Sequence, residues 1–134
     1  MKKLALLLLL PLALGACGDD DSSDNGRPTS VSVALDDFSF TPASVTLAAG
    51  VEVTVDISNI GGIQHSWVVL NQGVAVTTSA EVTPDRILAA SADLDGGASD
   101  SISFTLPEGG TYQVVCHIPG HIEAGMVGTV EATG

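Results

Sequence analysis

The chain has 134 residues, with four lysine and arginine residues against sixteen aspartate and glutamate residues, and a formal net charge of −12 at pH 7. This length is enough for one domain with a modest core and leaves no room for a second domain. The strong acidity argues against nucleic acid or an anionic membrane surface as a binding partner, because like charges repel.

The amino-terminal segment has the layout of an export signal. It begins with two lysines, continues through an apolar run at residues 4–14 and reaches a small-residue pair just before Cys17. This pattern predicts a signal peptide over residues 1–16, too short to span a bilayer as a helix. The letters LGAC at its end resemble the lipobox of bacterial lipoproteins, which implies cleavage before Cys17 and lipidation of its sulfur. The alternative is an ordinary signal peptide that ends near a cysteine.

The next segment, residues 17–30, is rich in Asp, Ser, Gly and Asn and is predicted to be a flexible acidic tether. The folded domain is predicted at residues 31–134. A lipid on Cys17 leaves Cys116 as a lone thiol in an oxidising compartment, where it needs protection from oxidation. The competing interpretation is a disulfide between the two cysteines in a metal-free interaction domain.

Apolar and polar residues alternate along most of the predicted domain, as half-buried strands do. The strands are expected near residues 31–35, 45–47, 51–57, 66–70, 101–106, 111–116 and 126–132, with Gly, Pro, Asn and Asp between them. About seven or eight short strands predict an all-β fold, an antiparallel Greek-key β-sandwich. The exception is a long crossover at residues 71–100, in which residues 84–90 are compatible with a short helix.

One segment near the carboxyl end concentrates the chemistry of the chain. Between two predicted strands it places Cys116, then His121 after a Pro-Gly turn, then Met126. A thiolate, imidazoles and a weak thioether suit both Cu(I) and Cu(II), whereas structural zinc favours more thiolates or histidines. His65, the histidine outside this segment, is the candidate for the remaining ligand. The alternation places Cys116 and Met126 at the same end of the sandwich.

These motifs resemble the cupredoxins, and most closely the auracyanin branch of that family. The matching elements are QHSW at residues 64–67, Tyr112, the Cys-to-Met segment with its PGH and GM letters, and more weakly DFSFTP at residues 37–42. The resemblance implies one copper held by the metal ligands His65, Cys116, His121 and Met126. It also implies that Cys116 gives the blue colour, that Met126 is axial, and that the carbonyl of Gln64 lies distantly opposite Met126.

Several neighbouring residues are assigned lesser roles. Ser66 replaces the asparagine common after the first histidine of the family, and its shorter side chain is expected to loosen the second shell around copper. His117 has the opposite parity to Cys116 and is not expected to bind metal, and Trp67 is expected in the core. The rim of a docking surface is predicted to include Ile63, Ile118, Pro119 and Ile122.

The function predicted from these observations is that of a monomeric single-electron carrier, not an enzyme, lipid-anchored in the periplasm or on the cell surface. Its redox partners would be a cytochrome or a quinol-oxidising membrane complex, and the acidity favours a basic partner. The same acidity is equally explained by solubility in a saline habitat. A copper oxidase or nitrite reductase needs a second copper centre, which His117 alone cannot build. A copper-delivery protein is the other alternative, although the chain lacks Met-rich and His-rich tracts.

Overall fold

The computed structural model describes residues 26–134, so the predicted signal peptide, Cys17 and most of the tether lie outside the described residues. Within this range the chain forms nine strands: β1 (Ser30–Asp36), β2 (Ser39–Thr41), β3 (Ser44–Ala48), β4 (Glu52–Asn59), β5 (Val68–Leu70), β6 (Ile87–Ala90), β7 (Ser99–Thr105), β8 (Gly110–Val115) and β9 (Val127–Thr133). They build two sheets, with strand orders β2-β1-β4-β7 and β3-β9-β8-β5-β6. The predicted β-sandwich is confirmed.

Two strand pairings are parallel, although the sequence predicted an antiparallel fold. Strand β1 pairs in parallel with β4, and β3 pairs in parallel with β9. Each parallel pair joins strands that are not connected by a hairpin, since parallel strands need a longer crossover. The alternation of side chains shows which face of a strand is buried but not the direction of its neighbour. For this reason the two parallel pairs were not predicted.

The region expected to hold a short helix contains two 3-10 turns, Ser79–Glu81 and Pro84–Arg86, and then strand β6. No helix within residues 26–134 has both the length and the apolar character needed to cross a membrane.

The main core lies between the two sheets, where Leu35, Leu47, Val55 and Trp67 are almost completely buried. A second cluster forms on the outer face of the five-stranded sheet, where the crossover residue Val76 covers Val68, Leu70, Val115 and Ile122. Strand β5 is therefore buried on both faces. This explains why it reads as a continuous apolar run rather than an alternating one.

Residues just before the expected start of the domain at residue 31 also contact the sandwich. The Pro28 carbonyl accepts the Ala48 N–H at 2.7 Å, and the Thr29 carbonyl accepts the Thr54 N–H at 2.9 Å. The Arg27 guanidinium also donates to the Ala49 and Thr133 carbonyls. These contacts attach residues 27–30 to the sandwich.

Candidate metal centre

The loop before β5 and the loop between β8 and β9 meet at one end of the sandwich. The first carries His65, whose backbone exchanges two hydrogen bonds with Leu94, at 3.0 and 2.8 Å. The second begins at Cys116 and ends at Met126, and the Cys116 N–H donates to the Met126 carbonyl at 3.3 Å. The backbone thus fixes both loops where the candidate ligands project.

Three potential metal-binding atoms converge in this buried space. The thiol and imidazole donors of His65, Cys116 and His121 all lie within 4.8 Å of one another. Nδ1 of His65 is 3.2 Å from Nδ1 of His121, and that nitrogen is 3.4 Å from the Cys116 Sγ. Metal bonds of about 2.0 to 2.3 Å from nitrogen and sulfur put ligands in one plane about 3 to 4 Å apart. The spacing therefore fits a single small ion.

The Met126 side chain adds a thioether to the same end of the core. It is fully buried in the main cluster together with Cys116, and His65 is also fully buried. The Met126 N–H also donates to the His121 carbonyl at 3.0 Å, which closes the loop. A set of two imidazoles, one thiol and one thioether is the soft donor set that copper favours. The residues present therefore fit copper, and the sequence-predicted ligands are brought together.

The loop that carries His121 is held in shape by the crossover. The Ser79 hydroxyl accepts the Gly120 N–H at 3.1 Å, and the Glu123 carboxylate accepts the Ser79 N–H at 2.9 Å and its O–H at 2.8 Å. The hydrogen bond from the Ser79 N–H is the main cause that lowers the pKa of Glu123. Gly120 itself adopts a φ of 86°, which favours glycine. These contacts hold the ligand loop in its curled form.

Electrostatics favour the metal-binding form of His121. Its burial lowers its pKa, and the charge of His65 lowers it further, while Asp37 opposes both effects. A neutral imidazole keeps a free electron pair on one nitrogen, which a metal requires.

Ser66 connects the two ligand segments. Its backbone N–H donates to the Cys116 Sγ at 3.4 Å, and its hydroxyl, 3.8 Å from the same sulfur, accepts the His117 N–H at 3.1 Å. The Ser66 hydroxyl thus lies between the sulfur and the backbone beyond it, and the looser second shell relative to asparagine stays a prediction. His117 lies outside the group of three donors, and its ring contacts Asp93 near the surface.

Of the four residues predicted to form the docking rim, Ile122 is buried. Ile63 is 43% exposed and Pro119 is exposed, whereas Ile118 packs partly against the core. Ile122 is only 5% exposed and belongs to the second apolar cluster, so it does not form part of the rim. The Gln64 side chain is oriented toward Asp95, with Nε2 3.3 Å from its Oδ1, and the role of the Gln64 carbonyl stays a prediction.

Three residues near the site were missed by sequence reasoning. Phe38 stacks edge-on against His121 at 5.1 Å and His65 at 6.4 Å, with a φ of 63° that is unusual for a non-glycine residue. Asp37 contacts His65, and buried Asn59 donates to the carbonyls of Ile63 and Leu94. Asn59 belongs to a turn-rich run, but nothing local in the sequence indicated the partners of Asp37 and Phe38.

Comparison with known proteins agrees with this geometry. A profile of the copper-binding proteins of the plastocyanin/azurin family matches residues 28–133. Auracyanin-B of Chloroflexus aurantiacus is 37% identical over 119 residues, a match that covers 77% of this chain. The chain spans only about half of that relative, 51% of its length.

Two further matches extend the comparison. The copper-resistant cuproprotein CopI of Rubrivivax gelatinosus is 30% identical over 131 residues, covering 87% of this chain and 78% of CopI. The crystal structure of dithionite-reduced auracyanin from Roseiflexus castenholzii superimposes with a TM-score of 0.74 at 27% identity, covering 81% of this chain and all of that one.

Proposed function

Because the chain belongs to the plastocyanin/azurin family of copper-binding proteins, with one copper as its cofactor, we propose that it is a single-electron carrier rather than an enzyme. The observation that carries the proposal is the convergence of His65, Cys116 and His121, three buried donors from two loops that the sandwich fixes. A copper held there supplies a reversible change between Cu(II) and Cu(I).

The protein's own contribution is to hold the ligands still. Backbone pairing fixes His65 and Cys116, and the Ser79 and Glu123 contacts fix the loop that carries His121. Ligands that cannot rearrange favour rapid electron exchange, since little structural change accompanies the change in charge. Burial of the Cys116 thiol also keeps water and oxidants away from the sulfur.

Electrons are proposed to pass through the edge of His121. His121 is 8% exposed, and its ring has an edge-on contact with that of Phe38, which is itself 41% exposed. Phe38, Ile63 and Pro119 give this end of the molecule an apolar surface suited to brief contacts. A basic cytochrome or a quinol-oxidising membrane complex is the proposed class of partner, since the chain is strongly acidic.

The protein is further proposed to act outside the cytoplasm, on a lipid anchor at Cys17. The support is the export signal over residues 1–16 and the lipobox-like letters before the cysteine. Mass spectrometry of the protein isolated from membranes tests this proposal. Acyl groups on an amino-terminal Cys17 support it, and a chain that keeps residues 1–16 contradicts it.

The decisive test of electron transfer is a spectrum taken after adding one equivalent of Cu(II) to the purified protein. An intense blue band with narrow copper hyperfine splitting, lost with ascorbate and restored on oxidation, supports a thiolate-bound redox copper. A colourless product with ordinary tetragonal copper signals contradicts it.

Copper handling is the second candidate function, favoured by the similarity to a copper-resistant cuproprotein. The two functions differ in how firmly copper is retained. A carrier keeps its copper through repeated cycles of reduction and oxidation, whereas a delivery protein releases Cu(I) to a competing chelator. Copper content measured after such cycles in the presence of a Cu(I) chelator distinguishes them.

Replacing Met126 by leucine is expected to keep copper bound and to raise the reduction potential. The thioether is a weak electron donor, and its loss disfavours Cu(II) more than Cu(I). We expect a rise of about 59 mV or more, the equivalent of a tenfold change for one electron. Voltammetry measures it, with Val127→Leu as the control, because Val127 is next in sequence but 41% exposed. An unchanged or lower potential in Met126→Leu would remove Met126 from the ligand set.

A further inference from the structure

The far side of the His65 ring meets a carboxylate. Nδ1 of His65 faces the other metal-binding atoms, 3.2 Å from Nδ1 of His121. Its second nitrogen, Nε2, is 3.0 Å from Oδ1 of Asp37. The His65 side chain is fully buried, and that of Asp37 is 47% exposed. The Asp37 carboxylate is therefore separated from the metal-binding nitrogen only by one imidazole ring.

This contact determines which nitrogen of His65 carries the proton. An ionised carboxylate accepts hydrogen bonds and has no proton to donate, so the Nε2 of His65 must be the donor. In a neutral ring, Nδ1 then keeps its electron pair and presents it to the metal-binding group. Carboxylates commonly orient metal-binding histidines in this way and make them more basic.

The carboxylate of Asp37 is itself held in place. The Gly62 N–H donates to the same Oδ1 at 3.1 Å. Gly61 packs closely over the contact, since a β-carbon added there would lie 2.4 Å from that oxygen and 3.1 Å from the His65 Nε2. The loop that supplies both glycines is anchored by Asn59, which donates to the Ile63 carbonyl at 2.8 Å and accepts the Gly61 N–H at 2.9 Å. A side chain at position 61 would therefore collide with the Asp37 carboxylate, so the close contact between Asp37 and His65 requires glycine there.

We propose that Asp37 is a positioning residue for electron transfer, which fixes the proton of His65 on Nε2 and lowers the reduction potential. The inference rests on the proposed function. A negative charge one ring away stabilises Cu(II) more than Cu(I), because the attraction grows with the charge of the ion. The hydrogen bond acts in the same direction, since it increases the electron density that the ring donates.

Three variants separate the two effects. Asp37→Asn keeps an oxygen that accepts the Nε2 proton but removes the charge, and Asp37→Ala removes both. Asp36→Asn is the matched control, because it also removes one carboxylate charge, and Asp36 accepts the Asp37 N–H rather than a histidine proton. The readouts are the reduction potential, the Cu(II) and Cu(I) affinities, and the His65 tautomer from nitrogen-15 NMR of the copper-free protein.

For Asp37→Asn we expect the Nε2 tautomer to persist and Cu(II) affinity to fall about tenfold relative to Cu(I), equivalent to about 59 mV. For Asp37→Ala we expect a larger loss of Cu(II) affinity, toward about 100-fold, and a mixture of tautomers. If Asp37→Asn matches Asp36→Asn in potential, or if His65 of the unmodified protein carries its proton on Nδ1, the inference is wrong. An unmodified protein without a blue band would overturn the proposed function first, so the two failures are distinguishable.

Discussion

Replacing Cys116 by serine is expected to abolish the blue colour and to lower copper affinity more than about 100-fold. This loss exceeds the effect of removing a residue that only hydrogen-bonds to a metal ligand, which is about 10- to 100-fold. The colour of such sites depends on the bond between copper and a thiolate sulfur. A serine hydroxyl does not ionise in this environment and is a poor ligand for Cu(I). The visible spectrum after copper addition and competition with a chelator measure both effects. Serine is close in size to cysteine, so the sandwich is expected to remain folded.

The control for this experiment is His117→Ala. His117 follows the ligand directly, yet its ring contacts Asp93 near the surface and is 34% exposed. Both colour and affinity are expected to stay close to those of the unmodified protein. Bleaching by His117→Ala, or a blue Cys116→Ser variant, would show that the ligand assignment is wrong.

Replacing Trp67 by alanine is expected to lower the free energy of unfolding by about 3 to 5 kcal/mol, as large aromatic truncations in cores do. Trp67 is 1% exposed, and its ring packs 6.3 Å from that of Phe104 on the opposite sheet. Trp67 lies two residues after His65, so the same short segment contributes to the core and to the metal-binding site. Urea denaturation of the copper-free protein measures the loss without a contribution from metal binding.

Ile60→Ala provides the comparison for this truncation. Ile60 is also apolar, but it is 62% exposed, so its loss is expected to change stability by no more than about 0.5 kcal/mol. Similar losses for the two variants would mean that Trp67 does not connect the two sheets. If Trp67→Ala does not fold, Trp67→Phe is expected to fold with a smaller loss.

Sequence patterns predicted the elements whose side chains alternate. The pattern at residues 51–57 became β4, which has one face on the core and one on solvent, and the pattern at residues 111–116 became β8, which alternates in the same way until the buried Val115. The strand predicted at residues 66–70 forms only at Val68–Leu70, where the crossover covers its outer face and no alternation remains. Parallel pairing was not predicted, because strand direction depends on contacts between distant segments.

Three of the four predicted metal ligands could be recognised from their local spacing. Cys116, His121 and Met126 lie within one short segment, so their spacing is visible in the sequence. His65 was found by elimination among three histidines. Asp37 and Phe38 come from the turn between β1 and β2, and only the folded sandwich brings that turn against the histidines. Local spacing carries no information about such contacts.

The parallel pairing of β3 with β9 also constrains the order in which the strands can pair during synthesis or export. Ser44 and Thr129 touch through their side chains across 85 positions of the chain. A chain that emerges from a ribosome or passes through a membrane pore therefore cannot complete its five-stranded sheet until β9 is free. Until then β8, which ends directly before Cys116, lacks its pairing with β9. Burial of the thiol and copper loading are therefore expected to follow the pairing of β8 with β9, and a truncation within β9 is expected to impair both.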